Sequence, residues 1–374
     1  MPKKLRDEIE GAEAQARERL SADQPQLIRW GTGLALFLAG SAVAAVALMT
    51  VQPPERLQGS DSGDGGSVVA ASFAPPALAD IPAGPEGDSI RRGMTIFNQT
   101  YADPEAMKYV GNGMACTNCH IDGGRRAGSA PMWAAWVNYP QFRKKIDGIS
   151  TMTDRIKGCF MYSMNAQNSP AGEAPPENSN IYRDLELYFF WLAKGAATGT
   201  SMSGGGYPKL AAPAQPYDPK RGAAVYQQSC ASCHGPDGQG ASQPDGTVVY
   251  PALWGPHSYN WGAGMAMVNN AAAFIKANMP FDQAGTLSDQ QAWDVAAYVD
   301  SQERPKDPRQ TGTVAQNAAK HFAGAQTYYG KTVGGKLLGT GIAGSPFLKV
   351  PAIKAGAVTA DPAVASLGSA SPGS

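Results

Sequence analysis

Cys116-Thr117-Asn118-Cys119-His120 and Cys230-Ala231-Ser232-Cys233-His234 decide how this chain is read. In each pentad two thiols stand at the spacing that adds to the two vinyl groups of a haem, and the next histidine is placed under the iron as proximal ligand. A redox Cys-x-x-Cys pair or a four-cysteine zinc site explains neither the histidine after both pairs nor their separation by a domain's length. The pentads therefore predict two covalently attached haem c groups, one held by Cys116, Cys119 and His120, the other by Cys230, Cys233 and His234. Of five cysteines in the chain, only Cys159 is left over.

The length of 374 residues and the 43% apolar content suffice for two cores with residues to spare at both ends. A formal net charge of zero gives no electrostatic reason for a nucleic-acid or membrane-surface partner. Residues 31–51 are uncharged and rich in Ala, Leu and Val, long enough to cross a bilayer as one helix, with Trp30 at the start as interfacial anchor. Lys3, Lys4, Arg6, Arg17, Arg19 and Arg29 precede this stretch, which puts the N-terminus in the cytoplasm and the haem modules in the periplasm. A cleaved signal peptide is the competing reading, but the polar leader is long and the apolar stretch exceeds an ordinary signal core. The expectation is a single-pass protein of the bacterial cytoplasmic membrane.

The organisation expected is a cytoplasmic polar segment (1–28), a transmembrane anchor (29–51) and a Pro/Gly/Ser-rich flexible linker (52–86). Two haem modules follow at 87–198 and 218–308, joined by a Gly- and Pro-dense linker (199–217), and a low-complexity, largely disordered tail closes the chain (309–374). The fold class is mainly α: two class I cytochrome c-like modules in tandem after one N-terminal transmembrane helix. Gly93 stands four residues before Phe97, and Gly222 four before Tyr226, each glycine allowing two helices to approach closely. Each module closes on an aromatic helix, with Tyr182, Leu185, Tyr188, Phe189 and Leu192 in the first. In the second, Trp293, Ala296, Ala297 and Tyr298 follow Ser288 as N-cap. Tyr328-Tyr329-Gly330-Lys331 is the one aromatic knot in the tail.

Met279 lies between the second pentad and its closing helix, where a class I cytochrome c carries its axial methionine, so His234 and Met279 are the ligand pair expected there, with Met265 and Met267 as competitors. At the corresponding place in the first module Cys159 competes with Met164. A lone cysteine is unusual outside the cytoplasm unless it is used. Arg125, Arg126, Arg143, Lys144, Lys145, Arg155 and Lys157 outnumber Asp122, Asp147 and Asp154 in the segment leading to it, which favours a thiolate or an anionic substrate. His257 and His321 stand outside the pentads and read as structural or surface residues.

Several longer segments extend this pattern: residues 116–125, Pro131-Met-Trp-Ala-Ala-Trp136, Tyr139-Pro-Gln-Phe-Arg-Lys-Lys145, Arg155-Ile-Lys-Gly-Cys-Phe-Met-Tyr-Ser-Met-Asn165, 254–265 and 273–280. On these segments the chain resembles the thiosulfate dehydrogenases, exported dihaem c-type cytochromes, over about residues 88–335. The resemblance implies oxidative coupling of two thiosulfate ions to tetrathionate, run in reverse in some members. It also implies a first haem with His120 and Cys159 as axial ligands, and substrate flanked by Arg155 and Ser163, with Arg143 a weaker transfer. Met279 matches the second-haem ligand position, and electrons would pass from the first haem to the second and out to a cytochrome c or a membrane redox complex. Met161 and Ala166 depart from the pattern, where a polar residue and a glycine are expected. The alternative is a non-catalytic, membrane-anchored dihaem electron-transfer subunit.

Overall fold

The computed structural model describes residues 73–199, 201–244 and 247–343. The expected anchor, the polar segment before it and the last residues of the tail lie outside these; among the described residues no helix is long and apolar enough to cross a membrane. The described chain is mainly helical: α1 (Pro85–Asn98), the short turns α2 (Ile121–Gly124) and α3 (Met132–Trp136), α4 (Met152–Gly158), α5 (Asn180–Leu192), α6 (Pro219–Ser229), α7 (Ala231–His234), α8 (Val268–Asn278), α9 (Asp289–Asp300) and α10 (Val314–His321). The strands are three small antiparallel pairs, β1 (Gln141–Arg143) with β2 (Gly148–Ser150), β3 (Ala241–Ser242) with β4 (Val248–Tyr250), and β5 (Thr332–Val333) with β6 (Lys336–Leu337).

The helix ends follow local chemistry. Pro85 opens α1, where its missing N–H costs nothing. Ser288 caps α9 by accepting from the Gln291 N–H while the Gln291 side chain bonds back, the cap expected from sequence and worth about 1 kcal/mol. Thr151 and Asp154 form the same box at α4.

One packing device occurs twice. A Cβ placed on Gly93 of α1 would stand 2.0 Å from the Asp184 carbonyl oxygen of α5, and one on Gly222 of α6 would stand 1.9 Å from the Asp294 carbonyl oxygen of α9. Both helix pairs touch backbone to backbone, which only glycine permits. Around the first crossing Ile90, Ile96 and Phe97 meet Ile181, Leu185, Tyr188, Phe189 and Leu192, all buried. Around the second, Tyr226 is fully buried against Val295 and Val299. Each pentad follows the first helix of its pair.

Two expectations about connecting segments, for 52–86 and for 309–374, are corrected. Residues 73–86, assigned to a flexible tether, are strapped to the first half: Phe73 packs on Trp133 with ring centroids 5.2 Å apart, and Arg125 donates to the Pro76 oxygen at 2.7 Å. The linker at 199–217 is pinned by the Gly128 and Ala130 N–H groups, which donate to Gly204 and Gly206 at 2.8 Å. Beyond 308 the chain is folded as far as residue 343. There α10 and the β5–β6 hairpin bury Phe322, Tyr329 and Leu338 against Trp261, and Phe322 stacks on Tyr329 at 4.4 Å. A few large aromatics held this segment where composition alone suggested a tail.

Candidate functional site

His120 follows the 3-10 turn Cys116–Asn118. Its Nδ1 donates to the Ala130 oxygen at 2.8 Å, which orients the ring and leaves Nε2 as the nitrogen available to a ligand. Ala130 takes φ 51°, a left-handed conformation uncommon for alanine, and its N–H is held by the Gly206 oxygen. The linker thus fixes the carbonyl that orients the imidazole. The second pentad repeats the device: His234 Nδ1 donates to the Pro251 oxygen at 3.0 Å, and burial holds this histidine below its ordinary range, hence neutral.

A cavity of ≈ 350 Å³ opens beside His120. The expected residues Cys116, Cys119, His120, Arg143, Arg155, Cys159 and Ser163 all line it, as does Met164, the competitor of Cys159. Its other walls are largely apolar, including Phe97, Met132, Ile156, Leu185 and Phe189. His257 and His321 do not reach it. Met279 belongs to the other half, directly after α8, where its N–H closes that helix on the Ile275 oxygen.

Three cysteines share this cavity but not its electrostatics. Desolvation pushes the Cys116 and Cys119 thiols up to about 12, so they stay neutral. Desolvation also opposes ionisation of Cys159, but the Arg155 guanidinium, a hydrogen bond with His120 and the charges of His120 and Lys145 bring it down to about 7. Arg155 Nη1 lies 3.4 Å from Cys159 Sγ. Tyr139 links the cations, accepting from Arg143 at 3.2 Å and bonding Arg155. Three other cations of the basic cluster have partners of their own: Arg125 the Pro76 oxygen, Lys157 the Glu177 carboxylate, and Lys145 the Gly262 oxygen.

A haem c group suits this donor set. Two neutral thiols stand beside a histidine whose ring is oriented by its bond to Ala130, and the imidazole and the Cys159 sulfur are near enough to hydrogen-bond. The walls that remain are largely apolar, as suits a macrocycle.

Cys159 opens a π-helical turn, Cys159–Ser163, continuing α4, in which the Met164 N–H reaches back five residues to the Cys159 oxygen at 3.0 Å. The departures Met161 and Ala166 flank its end. Met161 does not line the cavity, and Ala166 sits in a 3-10 turn with ordinary φ, so the expected glycine is not needed.

Sequence reasoning missed three contributors. Tyr139 was part of a quoted motif but carried no role. Ser201, Met202, Gly205 and Gly206, read as linker, line the cavity. Asn260, from the loop before α8, is fully buried and bonded to the turn after Cys159. Only the length of the 254–265 motif signalled that loop.

The cytochrome c family model matches residues 219–303. A protein named thiosulfate dehydrogenase from Stutzerimonas stutzeri (strain A1501) is 43% identical over 293 residues, covering 78% of this chain and 91% of that protein. Another of the same name, from Thiomonas intermedia (strain K12), is 44% identical over 300 residues, covering 80% and 91%. The solved structure of a thiosulfate dehydrogenase, TsdBA from Marichromatium purpuratum, aligns with TM-score 0.71 and 50% identity over 73% of this chain and 58% of that one.

Proposed function

The chain belongs to the thiosulfate dehydrogenase family, and from that premise we propose that it couples two thiosulfate ions oxidatively to tetrathionate, with Cys159 as the reacting sulfur. The observation that carries this reading is the placement of Cys159 Sγ within reach of His120 and 3.4 Å from Arg155 Nη1 in a largely apolar cavity. A carrier needs no such group.

In the proposed reaction the Cys159 thiolate forms a bond to the sulfane sulfur of one thiosulfate, and two electrons leave. The sulfane sulfur of a second thiosulfate then attacks that of the adduct, the bond to Cys159 breaks, tetrathionate departs and the thiolate is restored. Two thiosulfate dianions thus give one tetrathionate dianion and two electrons. Haem c would supply one-electron acceptance, and the two pentads would hold one such group each, enough for the pair. Arg155 serves twice, favouring the thiolate and offsetting repulsion between the dianions, and Tyr139 fixes its guanidinium beside that of Arg143. Ser163 flanks the substrate from the end of the turn. The apolar walls exclude water and strengthen each of these charges.

His120 and Cys159 would ligate the first iron, His234 and Met279 the second. A methionine ligand raises the potential and a thiolate lowers it, so electrons would run from the first site to the second and on to a cytochrome c or membrane redox complex. The repeated glycine crossing and the repeated histidine-to-carbonyl bond support two like modules. The uncharged stretch 31–51, with cations before it, supports an anchor in the cytoplasmic membrane and haem modules on the periplasmic side. The test is anaerobic addition of thiosulfate alone to the oxidised protein. Haem reduction with one tetrathionate formed per two haems reduced supports the reading, and haems that stay oxidised refute it.

A further inference from the structure

The Cys159 turn ends in carbonyls that no helix can satisfy. Past the end of a helix the final C=O groups have no N–H to accept. Here four consecutive ones, from Met161 to Met164, find donors outside the turn, in two separate loops. The Gly111 N–H donates to the Met164 oxygen at 2.8 Å, and Asn112 Nδ2 to the Ser163 oxygen at 2.7 Å. Both donors come from the loop before the first pentad. The other two carbonyls are served by one residue of the second half: the Asn260 N–H donates to the Tyr162 oxygen at 3.1 Å, and its Nδ2 to the Met161 oxygen at 2.9 Å.

Asn260 is fitted to this task. It is fully buried, and its Nδ2 also reaches Asn165 Oδ1 at 3.3 Å, while its Oδ1 accepts the Gly262 N–H at 3.0 Å. Asn165, buried too, takes the left-handed φ 52° that ends the turn. The surroundings reinforce the contact. A Cβ on Gly262 would stand 2.4 Å from the Tyr162 ring, so the loop lies flat on that ring. Lys145 Nζ sits 3.5 Å from the ring centroid and donates to the Gly262 oxygen.

We propose that Asn260 is a positioning residue for Cys159: by holding the π turn open, it determines that Cys159 and not Met164 is presented opposite His120. Both sulfurs line the same cavity, one at each end of the turn. A π turn carries one residue more than an α turn, and relaxation to α geometry rotates everything after it by about 100°. Such a rotation redirects Met164 relative to Cys159. Asn260 spans the carbonyls in which the extra residue is accommodated, so its loss lets the turn relax and the thioether compete. The second half of the chain thereby selects the sulfur of the first.

This inference rests on Cys159 being the sulfur ligand of the first haem, and the experiment separates the two. Electron paramagnetic resonance of the oxidised holoprotein distinguishes thiolate from thioether ligation. Wild type without a thiolate species refutes the ligand reading itself. With that species present, Asn260→Ala is expected to show a mixture of thiolate- and methionine-ligated first haem, and adding Met164→Leu to it is expected to remove the methionine species. Met164→Leu alone is expected to leave the thiolate signal intact. A folded Asn260→Ala protein with the full thiolate signal overturns the proposal, as does a methionine species that survives Met164→Leu. Asn260→Asp, which keeps the Gly262 contact and removes the Nδ2 donor, answers the same question if the alanine variant fails to fold. Failure of both to fold also overturns it, because the contact would then serve the whole fold rather than the choice of sulfur.

Discussion

Replacing Gly93 or Gly222 with alanine tests the two helix crossings that frame the pentads. Alanine is the better helix former, and in an exposed helix interior the exchange stabilises by about 1 kcal/mol. At these crossings the sign should reverse. The new Cβ would lie 2.0 Å from the Asp184 oxygen or 1.9 Å from the Asp294 oxygen, against a floor of about 3.0 Å for real contacts. The helices must part by about 1 Å, and the obstacle is backbone, which cannot swing aside. Overpacking of this kind costs about 3 kcal/mol at the upper end of its usual range. Less the helix-forming gain, the net loss is about 2 kcal/mol, a fall in Tm of roughly 4–8 °C for a domain of this size. Gly148→Ala is the control, since its Cβ would meet nothing nearer than the Ile146 oxygen at 3.8 Å; a change within about 0.5 kcal/mol is expected. Thermal unfolding followed by circular dichroism reads all three. A Tm raised by Gly93→Ala or Gly222→Ala would refute the close crossing.

Three further outcomes are expected. Tyr139→Phe removes the hydroxyl that bonds Arg143 and Arg155, and at about 1 kcal/mol it should raise the KM for thiosulfate roughly fivefold with little effect on Tm. Glu303→Ala strips the carboxylate that accepts from Trp261 Nε1 at 2.5 Å and from the Gly339 N–H and Thr340 hydroxyl at 3.2 Å. It should cost about 3 kcal/mol and expose residues 309–343 to limited proteolysis. Asp307→Asn tests a pH dependence: burial pushes the Asp307 carboxyl up, but the Arg309 donors at 2.7–3.0 Å outweigh it and hold it below the usual range. A depressed acid stabilises the fold above its unfolded pKa and loses that contribution as pH falls through the folded one. The variant should therefore be less stable than wild type in urea at neutral pH, with the difference shrinking below about pH 4.

The features legible in the sequence were those with a local chemical signature. Both pentads, the Ser288 cap, the two packing glycines and the aromatic faces of α5 and α9 are set by neighbours within a few residues of one another, and periodicity or spacing exposes them. Cys159 stood out by arithmetic, and the basic residues near it by charge, although only Arg143 and Arg155 of that cluster line the cavity. Contacts made by backbone atoms left no such trace. Gly204 and Gly206 read as punctuation, yet their carbonyls fasten the linker over the cavity and hold Ala130 for His120. The π turn was hidden because one extra residue hardly disturbs a helical pattern over a single turn. Residues 309–343 were misjudged because Phe322, Tyr329 and Leu338 are too sparse to show a period, though together they cover Trp261. Asn260 was unreadable for a related reason: one amide serves carbonyls about a hundred residues away.

The proposed reaction turns on Cys159, the one cysteine outside the pentads. The most direct test is tetrathionate formation from thiosulfate by Cys159→Gly, purified with haem content equal to wild type. The account predicts activity at background, because the variant lacks the sulfur that forms and releases the bond. Undiminished tetrathionate formation would contradict it.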